Sequence, residues 1–208
     1  MAGSSIGIAL SSGGAAGLAH VGVLEVLAEA GIEIDSVAGT SAGAMVGAAF
    51  AADHLVGFRD RFLGLNRRQL MRLFDPTWTG GGLFGGRRAM ELIGPFIGEN
   101  IEDLPRRFAA IATDLSSGRR AVLSSGPVHD AVRASAAIPG VFTPLASNGR
   151  LLVDGALVDP IPVQAARDLG ANFVIAVSVI PPPYSTALVS ACQPPSMQES
   201  SAPIVTAF

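Results

Sequence analysis

Ser36-Val37-Ala38-Gly39-Thr40-Ser41-Ala42-Gly43-Ala44-Met45-Val46-Gly47-Ala48-Ala49-Phe50-Ala51-Ala52 is the stretch on which the fold turns. Its first residues, Ser36–Gly39, read as a short buried strand, and Ala42–Ala52 is apolar on every side, as a helix buried at the centre of a domain must be. Between them stands Gly39-Thr40-Ser41-Ala42-Gly43, a G-x-S-x-G at a strand-to-helix turn. In that setting the turn exposes a serine hydroxyl, and glycines two residues to either side remove side chains that would clash. Amides at the helix start then face charge developing on or near Ser41. Gly39, Gly43 and Gly47 also form a GxxxG-like series. The polar interruptions make close packing of a buried helix on a sheet the better reading than a membrane helix pair.

Outward from this stretch, strand and helix signals alternate. Ile6–Leu10 reads as a buried strand running into Ser11-Ser12-Gly13-Gly14, and Leu18–Ala30 carries apolar residues at helical spacing up to Gly31. Leu55–Leu73 reads as one or two arginine-studded helices, Asp75–Gly86 as loop and Arg87–Ile97 as helix. Phe108–Thr113 and Arg119–Leu123 read as strands joined by Ser116-Ser117-Gly118. A helix is predicted over Val128–Ile138, a strand over Leu151–Val153, a helix over Pro162–Leu169 and a strand over Phe173–Val179. The alternation predicts an α/β fold, a mostly parallel sheet covered on both faces, with chemistry at the carboxyl ends of its strands. Residues 1–180 are expected to form one catalytic domain and 181–208 a Pro-rich tail.

The chain has 208 residues and a net charge of −3, which gives no reason to expect a nucleic-acid partner. Charged residues make up 15%, against a usual share of about 25%. All 14 basic residues are arginine, and the single Cys192 cannot form an intramolecular disulfide. With no signal peptide or membrane span legible, a cytoplasmic location is expected. No His/Cys/Asp cluster has ligand spacing, so neither metal nor cofactor is expected.

Two further segments carry chemistry. Ser12-Gly13-Gly14-Ala15-Ala16-Gly17 is a turn of small residues whose amides can converge on an anion. Its spacing is not that of a dinucleotide-binding loop, and no acidic ribose reader follows at the proper distance. Val153-Asp154-Gly155-Ala156 ends a short strand with a carboxylate. Only His20, His54 and His129 exist, and none follows a late strand where a triad histidine is expected. A Ser–Asp dyad, Ser41 as nucleophile and Asp154 as base, is then the economical solution. Asp114 and Asp159 are read as residues that orient nearby loops.

In this order the three segments resemble the patatin-like phospholipase family, and its short bacterial members in particular. The likeness extends through Leu18-Ala19-His20-Val21-Gly22-Val23-Leu24, Ala112-Thr113-Asp114-Leu115, Arg133-Ala134-Ser135-Ala136-Ala137-Ile138-Pro139-Gly140 and Leu152–Val163. The resemblance implies a three-layer α/β/α sandwich and a lipid acyl hydrolase, an esterase, lipase or phospholipase, that works through an acyl-enzyme. It implies Ser41 and Asp154 as the catalytic pair, an oxyanion hole at Gly13, Gly14 and Ala15, and a structural His20. Two features depart from the family pattern. Ala16 stands where the family usually carries Arg or Lys, and the chain ends soon after its last strand. An acyltransferase with the same nucleophile and a non-catalytic lipid-binding protein are the alternatives. The arginines and aromatic residues of Leu55–Met90 suggest transient contact with a membrane surface.

Overall fold

Strand β1 (Ile6–Leu10) alternates its side chains between two cores. Ile8 and Leu10 enter one, and Ala9 enters the other. A sheet with both faces dry needs helices on both sides, and the computed structural model, which describes residues 5–73, 75–77, 81–180 and 206–207, supplies them.

After β1 come a 3₁₀ turn, Gly14–Leu18, and helix α1 (Ala19–Glu29). Strand β2 (Ser36–Thr40) follows, buried at every residue, then α2 (Ala42–Ala51), α3 (Leu55–Leu63) and α4 (Arg67–Arg72). A short strand β3 (Gly82–Phe84) leads to α5 (Arg87–Ile93). Next are β4 (Arg107–Asp114), β5 (Arg119–Leu123) and α6 (Val128–Ser135). The strands β6 (Gly140–Phe142), β7 (Leu145–Ser147) and β8 (Arg150–Asp154) precede α7 (Val163–Asp168), β9 (Phe173–Val177) and the two-residue β10 (Thr206–Ala207).

The main sheet runs β10-β9-β1-β2-β4-β8-β7, with β5 on the other edge of β4. The pairs among β10, β9, β1, β2 and β4 are parallel, and β5, β8 and β7 add antiparallel pairs. The larger core lies under α1, α2 and α6, where Val37 and Phe108 meet Val46 and Val132. On the opposite face α7 places Ala165 and Ala166 against Ala9, Ala38 and Ile111. This is the three-layer α/β/α arrangement expected from the alternating pattern.

One detail of the sheet positions the site. On one edge of β4, Arg107–Ile111 pair with β2, so that Thr40 lies opposite Ile111. The next residues on that edge, Ala112–Asp114, pair with β8 running the other way, so that Asp154 lies opposite Ala112. The last residues of β2 and β8 therefore meet head to head. Close approach there excludes a side chain at Gly155, where a Cβ would lie 2.2 Å from the Ile111 carbonyl oxygen.

Several elements differ from the sequence reading. The helix predicted over Val128–Ile138 ends at Ser135, because the Ala137 carbonyl accepts the Asp154 amide at 2.9 Å instead of continuing a helix. The helix predicted over Arg87–Ile97 ends at Ile93 and continues as a 3₁₀ turn through Gly94-Pro95-Phe96. Asp75–Gly86, read as loop, contains β3, which pairs with β6 as a separate two-stranded sheet. The Pro-rich tail lies outside the described residues apart from Thr206–Ala207. No helix among the described residues is long and apolar enough to cross a membrane.

Candidate active site

Ser41 occupies the corner between β2 and α2 with φ 55° and ψ −119°. A left-handed backbone at a residue with a Cβ costs about 1–3 kcal/mol and persists only where its surroundings enforce it. Three bonds do so here. The Ser41 carbonyl accepts the amides of Ala44 and Met45 at 2.9 and 3.2 Å, and the Ser41 amide donates to Ser135 Oγ at 2.8 Å. The turn is also pressed against the end of β1. A Cβ on Gly43 would lie 2.3 Å from the Leu10 carbonyl oxygen and 2.5 Å from that of Ser11.

Asp154, at the head of β8, faces this corner. Ser41 Oγ donates to Asp154 Oδ2 at 2.7 Å, and the Ala156 amide donates to Oδ1 at 2.9 Å. Thr113 Oγ1 holds the Asp154 carbonyl at 2.8 Å. Both side chains are nearly out of solvent, with Ser41 7% and Asp154 4% exposed. Burial raises the Asp154 pKa above its ordinary value, while the Ala156 amide and the Ser41 hydroxyl pull it part of the way back. Desolvation dominates, so this carboxylate is a stronger base than one in water.

The sequence singled out Ser41 and Asp154, 113 residues apart, and the sheet brings them into hydrogen-bond contact. None of the three histidines bonds to either. His20 is fully buried and its Nε2 donates to the Ser11 carbonyl at 2.8 Å, which anchors the glycine turn. Burial lowers its pKa, so the ring stays neutral and holds that bond. His129 lies on the surface beside Asp130. Gly13, Gly14 and Ala15 begin the 3₁₀ turn that packs on the start of α2, and their amides take no hydrogen bond among the described residues. Asp159 accepts from Arg120 Nη1 at 2.9 Å, and its carbonyl accepts Thr40 Oγ1 at 2.8 Å, next to Ser41. Asp114 accepts the Ser116 amide at 2.9 Å and shapes the β4–β5 turn, which lowers its pKa.

Sequence reasoning did not assign a part to Ser135 or Thr113. Each is buried and fixes the backbone of one member of the pair. A serine inside a predicted helix offers no local sign of this. A small cavity among α2, α5, α6 and β6, lined by neither Ser41 nor Asp154, has about 300 Å³ of empty space counted together with its open mouth. Met45, Ala89, Met90, Ala137 and Phe142 line it, with Arg133 and Thr143 as its polar edge. Met45 lies one helical turn past Ser41, and the Ala137 carbonyl accepts the Asp154 amide, so two of the lining residues adjoin the pair. Among the described residues no group of three His, Cys, Asp or Glu is placed to hold a metal ion.

Comparison with known proteins bears on the family and the fold. A patatin-like phospholipase family model matches residues 8–167. An uncharacterized NTE family protein of Mycobacterium tuberculosis is 40% identical over 175 residues, covering 84% of this chain and 49% of that protein. Lysophospholipase NTE1 of Coccidioides immitis is 35% identical over 184 residues, covering 86% of this chain and 12% of that protein. The chain thus spans about half, or less, of the length of these relatives. The crystal structure of VipD from Legionella pneumophila superposes with a TM-score of 0.61 at 15% identity, over 90% of this chain and 52% of that one, which is a likeness of fold. The chain belongs to the patatin-like phospholipase family.

Proposed function

We propose that this protein is a serine lipid acyl hydrolase that cleaves carboxylic esters through an acyl-enzyme on Ser41, with Asp154 as the base. The observation that carries the reading is the 2.7 Å bond from Ser41 Oγ to Asp154 Oδ2 in a nearly dry corner. A serine hydroxyl is a weak nucleophile until a positioned base takes its proton, and here the hydroxyl already points at one. The first half-reaction follows from that contact. Ser41 Oγ attacks the ester carbonyl as its proton passes to Asp154. The oxyanion is stabilised by amides of Gly13, Gly14 and Ala15, and the departing alkoxide takes the proton from Asp154. In the second half, water gives its proton to Asp154 and attacks the acyl carbon. The fatty acid leaves, and the proton returns to Ser41.

The apolar cavity at Met45, Ala89 and Phe142 is assigned to the acyl chain. Family membership and the lysophospholipase named among the relatives support a lipid with a single reacting acyl ester. Hydrolysis of a short nitrophenyl ester and of a lysophospholipid by wild type and by Ser41→Ala tests the proposal. Turnover in the wild type and its loss in a folded Ser41→Ala variant are expected. Equal turnover in both would reject Ser41 as the nucleophile.

A further inference from the structure

Half of the chain's 14 basic residues fall between Leu55 and Met90: Arg59, Arg61, Arg67, Arg68, Arg72, Arg87 and Arg88. Only Asp60 and Asp75 oppose them in that stretch. The neighbouring acids leave most of this charge free. Arg59 pairs with Glu25 and Asp60, and Arg87 pairs with Glu91. Asp75 accepts the amides of Gly86 and Arg87. Arg61, Arg67, Arg68 and Arg72 are exposed and have no carboxylate partner among the described residues. Exposed apolar side chains stand among them. Leu63 is 76% exposed, Met71 65% and Leu83 64%. Scattered surface leucines are ordinary, but here large exposed apolar groups are interleaved in sequence with unpaired arginines along α3, α4 and β3.

The position of this surface matters as much as its composition. Helix α1 starts at the glycine turn, at the catalytic end of the sheet, and runs away from it. The Glu25–Arg59 pair ties the second half of α1 to the middle of α3, which ends at Leu63. At the far end of α4 the Arg72 carbonyl accepts Arg88 Nη1 at 3.2 Å, which joins α4 to α5. The same corner supplies Gly85, Gly86, Ala89 and Met90 to the wall of the acyl cavity. Helix α4, which carries the unpaired arginines, is thus bonded to the helix that supplies part of the cavity wall.

We infer that the face carrying Leu63, Arg67, Arg68, Met71, Arg72 and Leu83 docks the enzyme on an anionic lipid bilayer, beside the mouth of the acyl cavity. Its arginines lie against lipid phosphates, and its apolar side chains enter the boundary between headgroups and acyl chains. A nucleic acid would use the arginines but would gain nothing from Leu63 and Met71. Docking beside the cavity supplies lipid from the bilayer; its purpose rests on the hydrolase reading, whereas its existence does not.

The test is co-sedimentation of the full chain with phosphatidylcholine vesicles, with and without phosphatidylserine, alongside hydrolysis of a short soluble ester. Binding to phosphatidylserine vesicles is expected, weakening as salt is raised. A double charge reversal, Arg67→Glu with Arg68→Glu, should lower vesicle affinity at least tenfold. The pair Leu63→Ser with Met71→Ser should also lower it, by a salt-independent amount. Both variants should hydrolyse the soluble ester at the wild-type rate. Equal binding to both vesicle types, or binding that neither pair of substitutions weakens, would overturn the assignment. Tight duplex DNA binding lost in the Glu pair and kept in the Ser pair would overturn it in favour of nucleic acid. Phosphatidylserine-dependent binding in a protein without esterase activity would leave docking intact and reject the hydrolase reading instead.

Discussion

Replacing Asp154 with Asn removes the charge and leaves the shape, and the structure gives opposite signs for its effects on activity and stability. The Asn oxygen still accepts the Ala156 amide, now held at 2.9 Å, and the Asn nitrogen donates to Ser41 Oγ. The serine then has no acceptor for its proton. Loss of a positioned base lowers turnover about 10²–10⁴-fold, or roughly 3–5 kcal/mol of barrier. Stability moves the other way. The folded pKa of Asp154 is raised by burial, so its ionised form is the disfavoured one in the native state. Such a group costs no stability below its unfolded pKa, about 3.9, and costs progressively more as pH rises through the folded value. The Asn variant carries no such cost. It should melt at or above the wild-type temperature at pH 7, with the gap closing as pH falls toward 4. For the same reason the acid limb of wild-type kcat/KM should lie above the ordinary carboxylate range. Thermal melts at both pH values and kcat/KM against pH check all three. A folded Asn variant with more than a tenth of wild-type activity would refute the assignment of the base. A variant that melts well below wild type at pH 7 would show that the charge is an anchor of the fold.

Three further predictions concern the frame around the pair. Ser135→Ala leaves the Ser41 amide buried without its acceptor, which should cost about 1–3 kcal/mol in a denaturant melt and lower kcat more than it changes KM. Gly43→Ala forces a Cβ against the carbonyl oxygens of Leu10 and Ser11, so it should destabilise the fold by about 1–3 kcal/mol or more and abolish esterase activity. Ala89→Phe should fill the cavity, cutting kcat/KM for long-chain esters at least tenfold while acetate esters are cleaved as before. A uniform loss across chain lengths would place the acyl group elsewhere.

The stretch Ser36–Ala52 was legible because its signals are local. Its burial on all sides, its glycines and the position of its serine all follow from neighbours in sequence. The structure changes its boundaries by one residue at each element's end. Asp154 was legible for a different reason, the absence of a suitably placed histidine. The head-to-head meeting of β2 and β8 on one edge of β4 was not legible, since it is set by two separate registers, Thr40 opposite Ile111 and Asp154 opposite Ala112, between segments far apart in sequence. The same holds for Ser135, whose hydroxyl reaches Ser41 across 94 residues. The strands β3 and β6 escaped notice because three residues amid glycines carry too little alternation to register as strands. The premature end of α6 is a tertiary effect, since the Ala137 carbonyl is drawn to the Asp154 amide.

The most direct test of the Ser41–Asp154 pair is covalent labelling of wild type and Asp154→Asn with a fluorophosphonate, read by intact mass and by peptide mapping. One stoichiometric adduct is expected on the peptide bearing Ser41, formed at least a hundredfold more slowly in the Asn variant and absent from Ser41→Ala. A wild-type protein that stays unlabelled, or an adduct on another residue, would contradict the assignment.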